Sequence, residues 1–380
     1  MKRLIYLDNS ATTKPCPEAI QAALEAMTEG FGNPSSLYEL GLAAENIVTS
    51  VREELSSFLD CREDEIYFTS SGSESNNTAI FGAAELLCRR GKHIVTTAIE
   101  HSSILEPMKR LESKGYEVTY LLPEKNGNIP LDSIKNAIRK DTILVSLMAV
   151  NNETGAILPF ELVKEMIKEK ESPALLHIDA VQAFGKIELV PNDFGADLVS
   201  ISAHKIHGIK GSGALYVKKG IKLPALILGG GQEKNLRSGT EAVPAIAAFG
   251  AAVKALTPIK QRNDRVKQIR AYAIEKLSAF DNVVINSPDN GLPYILNFSF
   301  LGYRSETLLH YLEGYNICVS SGSACSKGAG SHVLRSMGLE NNRVDSALRI
   351  SFNSQTNEEE IDILYEALVA ASAKLKKSVR

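Results

Sequence analysis

The chain has 380 residues, of which 44% are hydrophobic and 23% are charged, and its formal net charge is -3 at pH 7. This composition indicates a globular protein with a substantial core, and the length suggests a large domain with a smaller one beside it. The charge gives no reason to expect nucleic acid or an anionic membrane as a partner, and no apolar run approaches the roughly 20 residues that span a bilayer.

The N-terminus and the cysteines indicate the compartment. Residues 1–8 contain two basic residues and only a short apolar stretch, so we interpret them as a strand and not as a signal peptide. The five cysteines are scattered without CxxC spacing, which argues against a disulfide framework and for a reducing environment. We therefore expect a cytoplasmic protein.

Apolar β-rich runs then alternate with amphipathic stretches along the first two thirds of the chain. The predicted strands are 93–97, 117–121, 142–150, 175–179, 197–202 and 214–217, and helical patterns cover 102–114, 131–139 and 160–170. This alternation predicts an α/β fold with a mainly parallel sheet that is covered by helices on both faces.

The pattern changes near Pro258. A charged helix at 260–278 is followed by short strands at 283–286, 294–300, 318–320 and 347–352, and a last helix begins after the N-cap Asn357. Short strands with helices between them predict a smaller α+β domain. We expect a large domain at residues 15–257 and a small domain made of residues 1–14 and 258–380.

A polar turn that contains Gly72 and Ser73 leads into an apolar helix. Free backbone N–H groups at a helix N-terminus bind anions, and the Ser73 hydroxyl adds a donor, so the turn is a candidate phosphate site. The alternative is a serine-rich N-cap without a ligand. The P-loop motif and a well-placed GxGxxG are both missing from the sequence.

Lys205 lies just beyond an apolar strand, next to His204, and Asp179 ends the preceding strand. Burial and a neighbouring positive charge lower the pKa of an amine and favour its attack on a carbonyl. A lysine that forms a Schiff base and an aspartate that pairs with a pyridinium nitrogen are the two anchors of pyridoxal phosphate (PLP). For Asp179 alone, a helix N-cap is the alternative.

Other side chains fit the same cofactor. Gln182 is placed to donate to the phenolic oxygen of the ring, and His101, after the strand 93–97, to lie over the ring and move protons. A single histidine in a loop also fits a structural role. Ser202 and His204 are further candidates for the phosphate group.

The C-terminal part contributes a thiol and a guanidinium group. Cys325 lies in a small, glycine-rich segment near Lys327, where a thiol is accessible and partly ionised, although an incidental surface cysteine is the alternative. Arg349 lies on an apolar strand and needs a partner. That partner is either a substrate α-carboxylate or the carboxylate of a structural salt bridge.

With these residues the chain resembles the cysteine desulfurases, the class V aminotransferase-like branch of fold-type I PLP enzymes. The likeness covers almost the whole chain, through residues 6–13, the glycine turn, both anchors, 229–233, 237–240, 320–325 and 348–351. The form Ser-Gly-Ser-Ala-Cys is similar to that of the group that serves iron–sulfur cluster assembly and tRNA thiolation. The resemblance implies a PLP-dependent transferase fold with a seven-stranded sheet.

The resemblance also implies a role for each site residue. Lys205 would hold PLP, with His101, Asp179 and Gln182 around its ring. The phosphate would be bound by Gly72, Ser73, Ser202, His204 and, from the second subunit of a homodimer, Thr240. The substrate carboxylate would be held by Asn152 and Arg349, and Cys325 would receive sulfur as a persulfide. No metal is expected.

Two positions depart from the family pattern in ways that bear on the structure. Gly72 stands where the family often has alanine. Asn235 stands where glycine is common, before the run 237–240. Because asparagine tolerates a positive φ better than most residues, we expect this turn to be preserved.

The predicted activity is conversion of L-cysteine to L-alanine with transfer of the sulfur to an acceptor protein. A selenocysteine lyase or an aminotransferase on the same scaffold is the alternative. A scaffold that binds PLP or a partner without catalysis is a rival from another class. A nicotinamide-dependent dehydrogenase is a weaker one, because its glycine fingerprint and distal acidic residue are missing.

Overall fold

The structure is a computed structural model that describes residues 3–321 and 330–378. Within these residues the strands are β1 (Ile5–Tyr6), β2 (Ile66–Thr69), β3 (His93–Thr97), β4 (Glu117–Leu121), β5 (Thr142–Met148), β6 (Leu175–Asp179), β7 (Leu198–Ser202), β8 (Gly213–Val217), β9 (Val283–Ile285), β10 (Ile295–Phe300), β11 (Ile317–Cys318) and β12 (Ala347–Ser351).

The α-helices of the same residues are α1 (Pro17–Thr28), α2 (Glu39–Phe58), α3 (Gly72–Leu86), α4 (Ser102–Glu112), α5 (Leu131–Ala137), α6 (Val163–Glu169), α7 (Val243–Lys254), α8 (Ile259–Leu277), α9 (Ser305–Glu313), α10 (His332–Ser336), α11 (Asn341–Asp345) and α12 (Glu358–Lys374). Short 3-10 turns lie at Glu63–Glu65, Phe160–Leu162, Ala203–Lys205 and Glu233–Asn235.

The central sheet has seven strands in the order β2-β8-β7-β6-β5-β3-β4. Strands β4, β3, β5, β6 and β7 pair in parallel, whereas β8 runs antiparallel to both of its neighbours. Every residue of β5 is buried, as expected for a strand that is covered on both faces. The predicted α/β fold with a mainly parallel, seven-stranded sheet is confirmed.

Several predicted elements were too long. The strand predicted at 142–150 ends at Met148, because Val150 forms an isolated bridge to Ile157 and the chain turns back. The helix predicted at 131–139 ends at Ala137, where the next residue takes an extended conformation. The helix predicted at 160–170 begins as a 3-10 turn and becomes α-helical at Val163.

A second, antiparallel sheet has the order β12-β10-β9; α9 packs against β12, and α12 packs against α8 and α9. The N-terminal strand β1 pairs with β11, and Asp8 bridges to Ser351. The N-terminal residues therefore lie with the C-terminal part of the chain. This agrees with grouping residues 1–14 with 258–380, and the domain boundaries themselves stay a prediction.

No single helix among residues 3–321 and 330–378 has the length and hydropathy to cross a membrane. The consecutive helices α7 and α8 meet these criteria of length and composition only as a pair, and they are bent by 81° relative to each other.

Candidate active site

The candidate site lies where parallel strands of the central sheet end. His101 follows β3, Asp179 is the last residue of β6, and Ser202 ends β7 immediately before the turn that carries Lys205. In the pairing of β6 with β7, Asp179 lies opposite Ser200. Because the carboxyl ends of parallel strands meet at one edge of a sheet, residues distant in sequence converge there.

The Lys205 amine is held by the N-terminal segment. It donates hydrogen bonds to the backbone carbonyls of Ser10 and Ala11, the second at 2.8 Å. Burial and then the charge of Arg349 lower the pKa of Lys205 to about 7. The expected neighbouring charge of His204 was wrong, since burial and the Lys205 charge lower the pKa of His204 itself to about 4. The second cation of the site is Arg349.

Asp179 is a buried carboxylate with two fixed donors. Its Oδ2 accepts a hydrogen bond from Asn76 Nδ2 at 2.8 Å, and its Oδ1 accepts one from the Val181 amide at 3.0 Å. Burial raises the pKa of Asp179, while these donors, His101 and Lys205 act in the opposite direction. A carboxylate in such surroundings favours a cationic partner, which is what a protonated ring nitrogen would provide.

His101 is the N-cap residue of α4, and its ring is oriented by Ser103. The Nδ1 atom accepts from the Ser103 amide at 3.1 Å and lies 2.8 Å from the Ser103 Oγ. Because Nδ1 accepts, the neutral ring carries its proton on Nε2. Burial lowers the pKa of His101, which favours this neutral form.

Asn76 connects the histidine to the aspartate. Its Nδ2 donates to Ser103 Oγ at 2.9 Å as well as to Asp179. One amide group therefore positions the side chains at both strand ends. Asn76 and Ser103 were not predicted from the sequence; the signal available for them was a polar side chain one turn into the glycine-turn helix and a hydroxyl two residues after His101.

The glycine turn lies close to the end of β7. A Cβ atom on Gly72 would lie 2.5 Å from Val181 Cγ2 and 3.5 Å from Ser202 Cβ. Ser202 Oγ is buried and has no hydrogen-bond partner among the described residues, while Ser73 is exposed. A helix N-terminus beside an unpartnered hydroxyl fits the phosphate group of a cofactor.

Of three other residues predicted to bind the cofactor, two have hydrogen-bond partners within the chain and the third is exposed. Gln182 is buried, and its Nε2 donates at 2.9 Å to the same Ser10 carbonyl that Lys205 contacts. The half-buried His204 has its Nδ1 3.2 Å from Thr12 Oγ1. Thr240 is exposed.

The run 237–240 is joined to the helix that follows the glycine turn, and it comes after a turn with a positive φ. Arg237 forms an ion pair with Glu74 of α3, with Nε to Oε1 at 2.8 Å. The φ of Asn235 is 67°, which confirms the positive φ that was expected there.

Arg349 forms a structural ion pair and keeps one donor unused. Its Nη2 donates to Asp8 Oδ1 at 2.7 Å, and its Nη1 donates to the backbone carbonyl of Asn152 at 2.8 Å. Nε is buried without a hydrogen-bond partner among the described residues. The salt-bridge alternative is therefore present, and the guanidinium can still contact a carboxylate.

Cys325 lies outside the described residues, but both sides of its segment are anchored beside the site. Backbone hydrogen bonds join Ser320 to Arg349 at 2.7 and 3.0 Å. His332 Nε2 lies 3.1 Å from the carbonyl oxygen of Glu100, the residue before His101. Residues 3–321 and 330–378 contain no group of His, Cys, Asp and Glu side chains that could hold a metal ion.

The fold that carries these residues agrees with the comparison with known proteins. Residues 5–364 match the model of the class-V aminotransferase family, and the chain belongs to this family. A cysteine desulfurase IscS from Clostridium botulinum is 42% identical over 375 residues, which are 97% of this chain and 94% of the relative. The resemblance that the sequence indicated is confirmed.

Two solved structures have the same fold as this chain. A NifS-like protein superposes with a TM-score of 0.93 at 35% identity, covering 98% of this chain and 100% of the other. The structure of SspA in complex with cysteine has a TM-score of 0.82 at 33% identity, covering 94% of this chain and 100% of the other.

Proposed function

We propose that this chain is a PLP-dependent cysteine desulfurase that converts L-cysteine to L-alanine and leaves the sulfur on Cys325 as a persulfide. One observation carries the proposal. A half-buried lysine and a buried carboxylate, Lys205 and Asp179, lie at neighbouring strand ends in a chain that is similar over nearly its full length to cysteine desulfurases.

The side chains present fit the cofactor. Asp179 and Gln182 would contact the ring, with His101 over it and Lys205 as the covalent anchor. The phosphate would be bound by Gly72, Ser73, Ser202 and His204, together with Thr240 from a second copy of this chain. When bound, PLP supplies an electron sink that stabilises negative charge at the substrate Cα.

Lys205 and His101 would handle the protons. About half of an amine with a pKa of about 7 is neutral, and so available as a base, near pH 7. It can take the proton from the substrate Cα, and a neutral His101 with its proton on Nε2 can donate one. Asn76 and Ser103 hold His101 in this form and in this orientation.

Arg349 and Asn152 would orient the substrate through its carboxylate. The unused Nε of Arg349 is a donor for a carboxylate oxygen. Asp8 prevents the guanidinium from rotating, because it already holds Nη2 at 2.7 Å. A substrate fixed in this way presents its thiol to the segment that carries Cys325.

In the sulfur step, the Cys325 thiolate attacks the substrate sulfur. An S–S bond forms as the Cβ–S bond of the substrate breaks, and the electron pair of that bond takes up a proton to give the methyl group of alanine. Three other cysteines are poor candidates for this role, because burial raises the pKa of Cys16, Cys61 and Cys318.

The proposal includes a homodimer, a cytoplasmic location and a sulfur acceptor such as an iron–sulfur scaffold or a tRNA-thiolation enzyme.

An exposed apolar stretch supports the homodimer. Leu226, Ile227 and Leu228 are 43%, 38% and 84% exposed. Ile227 bridges to Arg237, so this apolar stretch lies beside the run that ends at Thr240. A second copy that covers it would bring Thr240 towards another active site.

The test is mass spectrometry of the PLP-loaded protein after incubation with L-cysteine. We expect one added sulfur atom on the Cys325 peptide and alanine formation without any keto acid. The variant Cys325→Ala should lose both the persulfide and the release of sulfide. Sulfide release at the wild-type rate by this variant would refute the assignment of the nucleophile.

The same experiment separates the alternatives. Alanine formation that requires a keto acid would indicate an aminotransferase. Turnover of selenocysteine without turnover of cysteine would indicate a selenocysteine lyase.

A further inference from the structure

A cavity of about 1260 Å³ is lined by the N-terminal segment and by Lys205, and its lining does not include Gly72 or Ser73 of the glycine turn. Its lining includes Lys186, Arg262 and Tyr294, whose exposed fractions are only 7%, 8% and 6%. Lys186 follows β6 in the chain, Arg262 is on α8 and Tyr294 precedes β10. Three elements from different parts of the chain therefore place polar side chains in one buried position.

The donors of this cluster are largely unused. Arg262 donates through Nε to the Thr257 carbonyl at 2.7 Å, but its Nη2 is buried without a partner among the described residues, as is the Tyr294 hydroxyl. Lys186 has one long contact, from Nζ to Gln182 Oε1 at 3.3 Å, and its Nζ lies 5.7 Å from the centroid of the Tyr294 ring. Unused buried donors at this density are uncommon in proteins.

The charges of the cluster are not compensated. Burial lowers the pKa of Lys186 to about 7, and the charges of Lys205 and Arg262 act in the same direction. His207, which also lines the cavity, has a pKa that burial lowers, and Lys186 and Arg262 lower it further. Two buried cations without a counter-charge are costly, and an anion would remove that cost.

The carboxylates that line the cavity are engaged elsewhere. Glu360 caps the N-terminus of α12 and accepts from Arg3 at 3.5 Å. Glu18 lies in the first turn of α1, next to Cys16. Neither of them contributes to the lowered pKa of Lys186 or of Arg262.

We propose that this cavity is a binding site for a small anion with charged oxygens, such as inorganic phosphate or a short carboxylate, held by Lys186, Arg262 and the Tyr294 hydroxyl. Gln182 connects the site to the active site. Its Oε1 contacts Lys186, and its Nε2 donates to the Ser10 carbonyl that also accepts from Lys205. A bound anion would thus be connected to the Lys205 amine through a short chain of hydrogen bonds.

The test is calorimetric titration of the full, PLP-loaded chain with inorganic phosphate and, separately, with acetate, in a buffer of low chloride. Because the loaded protein already holds the phosphate group of PLP, binding of the added anion at that position cannot account for the signal. We expect saturable binding of one anion per chain and, because only the folded state binds it, a melting temperature that rises with phosphate. The anion that binds with the higher affinity identifies the chemical class of the ligand.

Matched variants locate the binding. Lys186→Met should weaken the affinity at least tenfold, and Tyr294→Phe, which removes only a hydroxyl, should weaken it several-fold. Lys210→Met is the control, since Lys210 lines the same cavity but is exposed; its affinity should stay within twofold of wild type. If Lys186→Met does not fold, Tyr294→Phe decides. Absence of saturable binding of both anions, or wild-type affinity in the folded variants, overturns the proposal.

Discussion

The half-buried Lys205 and the buried Lys186 have the same lowered pKa of about 7 but different surroundings. The Lys205 amine donates to two backbone carbonyls, and the carboxylates Asp8 and Asp179 partly offset the effect of burial on it. The surroundings of Lys186 contribute only burial and positive charge. A lowered lysine pKa therefore does not identify a catalytic residue, whereas its position beside a carboxylate at a strand end does.

The largest effect is expected from removing the Lys205 amine. Lys205→Ala should lower the rate of alanine formation by about 10³-fold or more, because both the cofactor anchor and the base are lost. Lys210→Ala is the control and should keep the wild-type rate. Steady-state rates of both variants with L-cysteine make the measurement, and a Lys205→Ala protein with more than about a tenth of wild-type activity would contradict the assignment.

Removing the carboxylate beside Lys205 should have the next largest effect. Asp179→Asn keeps the size of the side chain and its contact with Asn76, but it removes the charge that would hold a ring nitrogen protonated. We expect a loss of about 10²-fold in kcat. Melting curves should show a folded protein, and a kcat within twofold of wild type would remove Asp179 from the mechanism.

The pKa of Lys205 can be tested through the uptake of PLP by the apoprotein. Only the neutral amine attacks the aldehyde, so the uptake rate should rise about tenfold between pH 6 and pH 8, with a midpoint near 7. Stopped-flow absorbance measures this rate. A lysine with an ordinary pKa would instead give a rate that still rises tenfold per pH unit above pH 8.

Gly72 provides a test at the phosphate end of the site. Gly72→Ala places a Cβ 2.5 Å from Val181 Cγ2, so it should destabilise the fold by about 1–3 kcal/mol and weaken PLP binding. The double variant Gly72→Ala with Val181→Ala should recover much of the lost stability and much of the lost affinity for PLP. Urea unfolding and PLP titration measure these effects; absence of recovery would show that the contact is not the cause.

The smallest effect is expected at Ser103. Ser103→Ala removes a hydroxyl between Asn76 and His101, so it should lower kcat several-fold and the free energy of unfolding by about 1 kcal/mol. Because the hydroxyl acts through His101, the pH profile of kcat should also shift. A loss of stability without a change in that profile would indicate a structural role only.

The sequence predicted best where the signal is local. The strands 93–97, 117–121 and 175–179 have the predicted bounds, because apolar β-branched runs between polar turns are visible without the rest of the chain. The helices α1, α2 and α7 were missed. Of these, α7 is rich in alanine and buried on most of its surface, so it has little amphipathic contrast from which to predict a helix.

The order of elements, the class of chemistry and its principal residues follow from the sequence, since a lysine and an aspartate that follow parallel strands lie at the same edge of the sheet. Only the tertiary structure decided which charges act on these residues. Besides burial, it is the charge of Arg349, and not of the adjacent His204, that lowers the pKa of Lys205, and Asn76 joins Asp179 to Ser103. Electrostatic and hydrogen-bond energies depend on distance in space and on burial, and residues 186, 262 and 294 meet only because the chain folds.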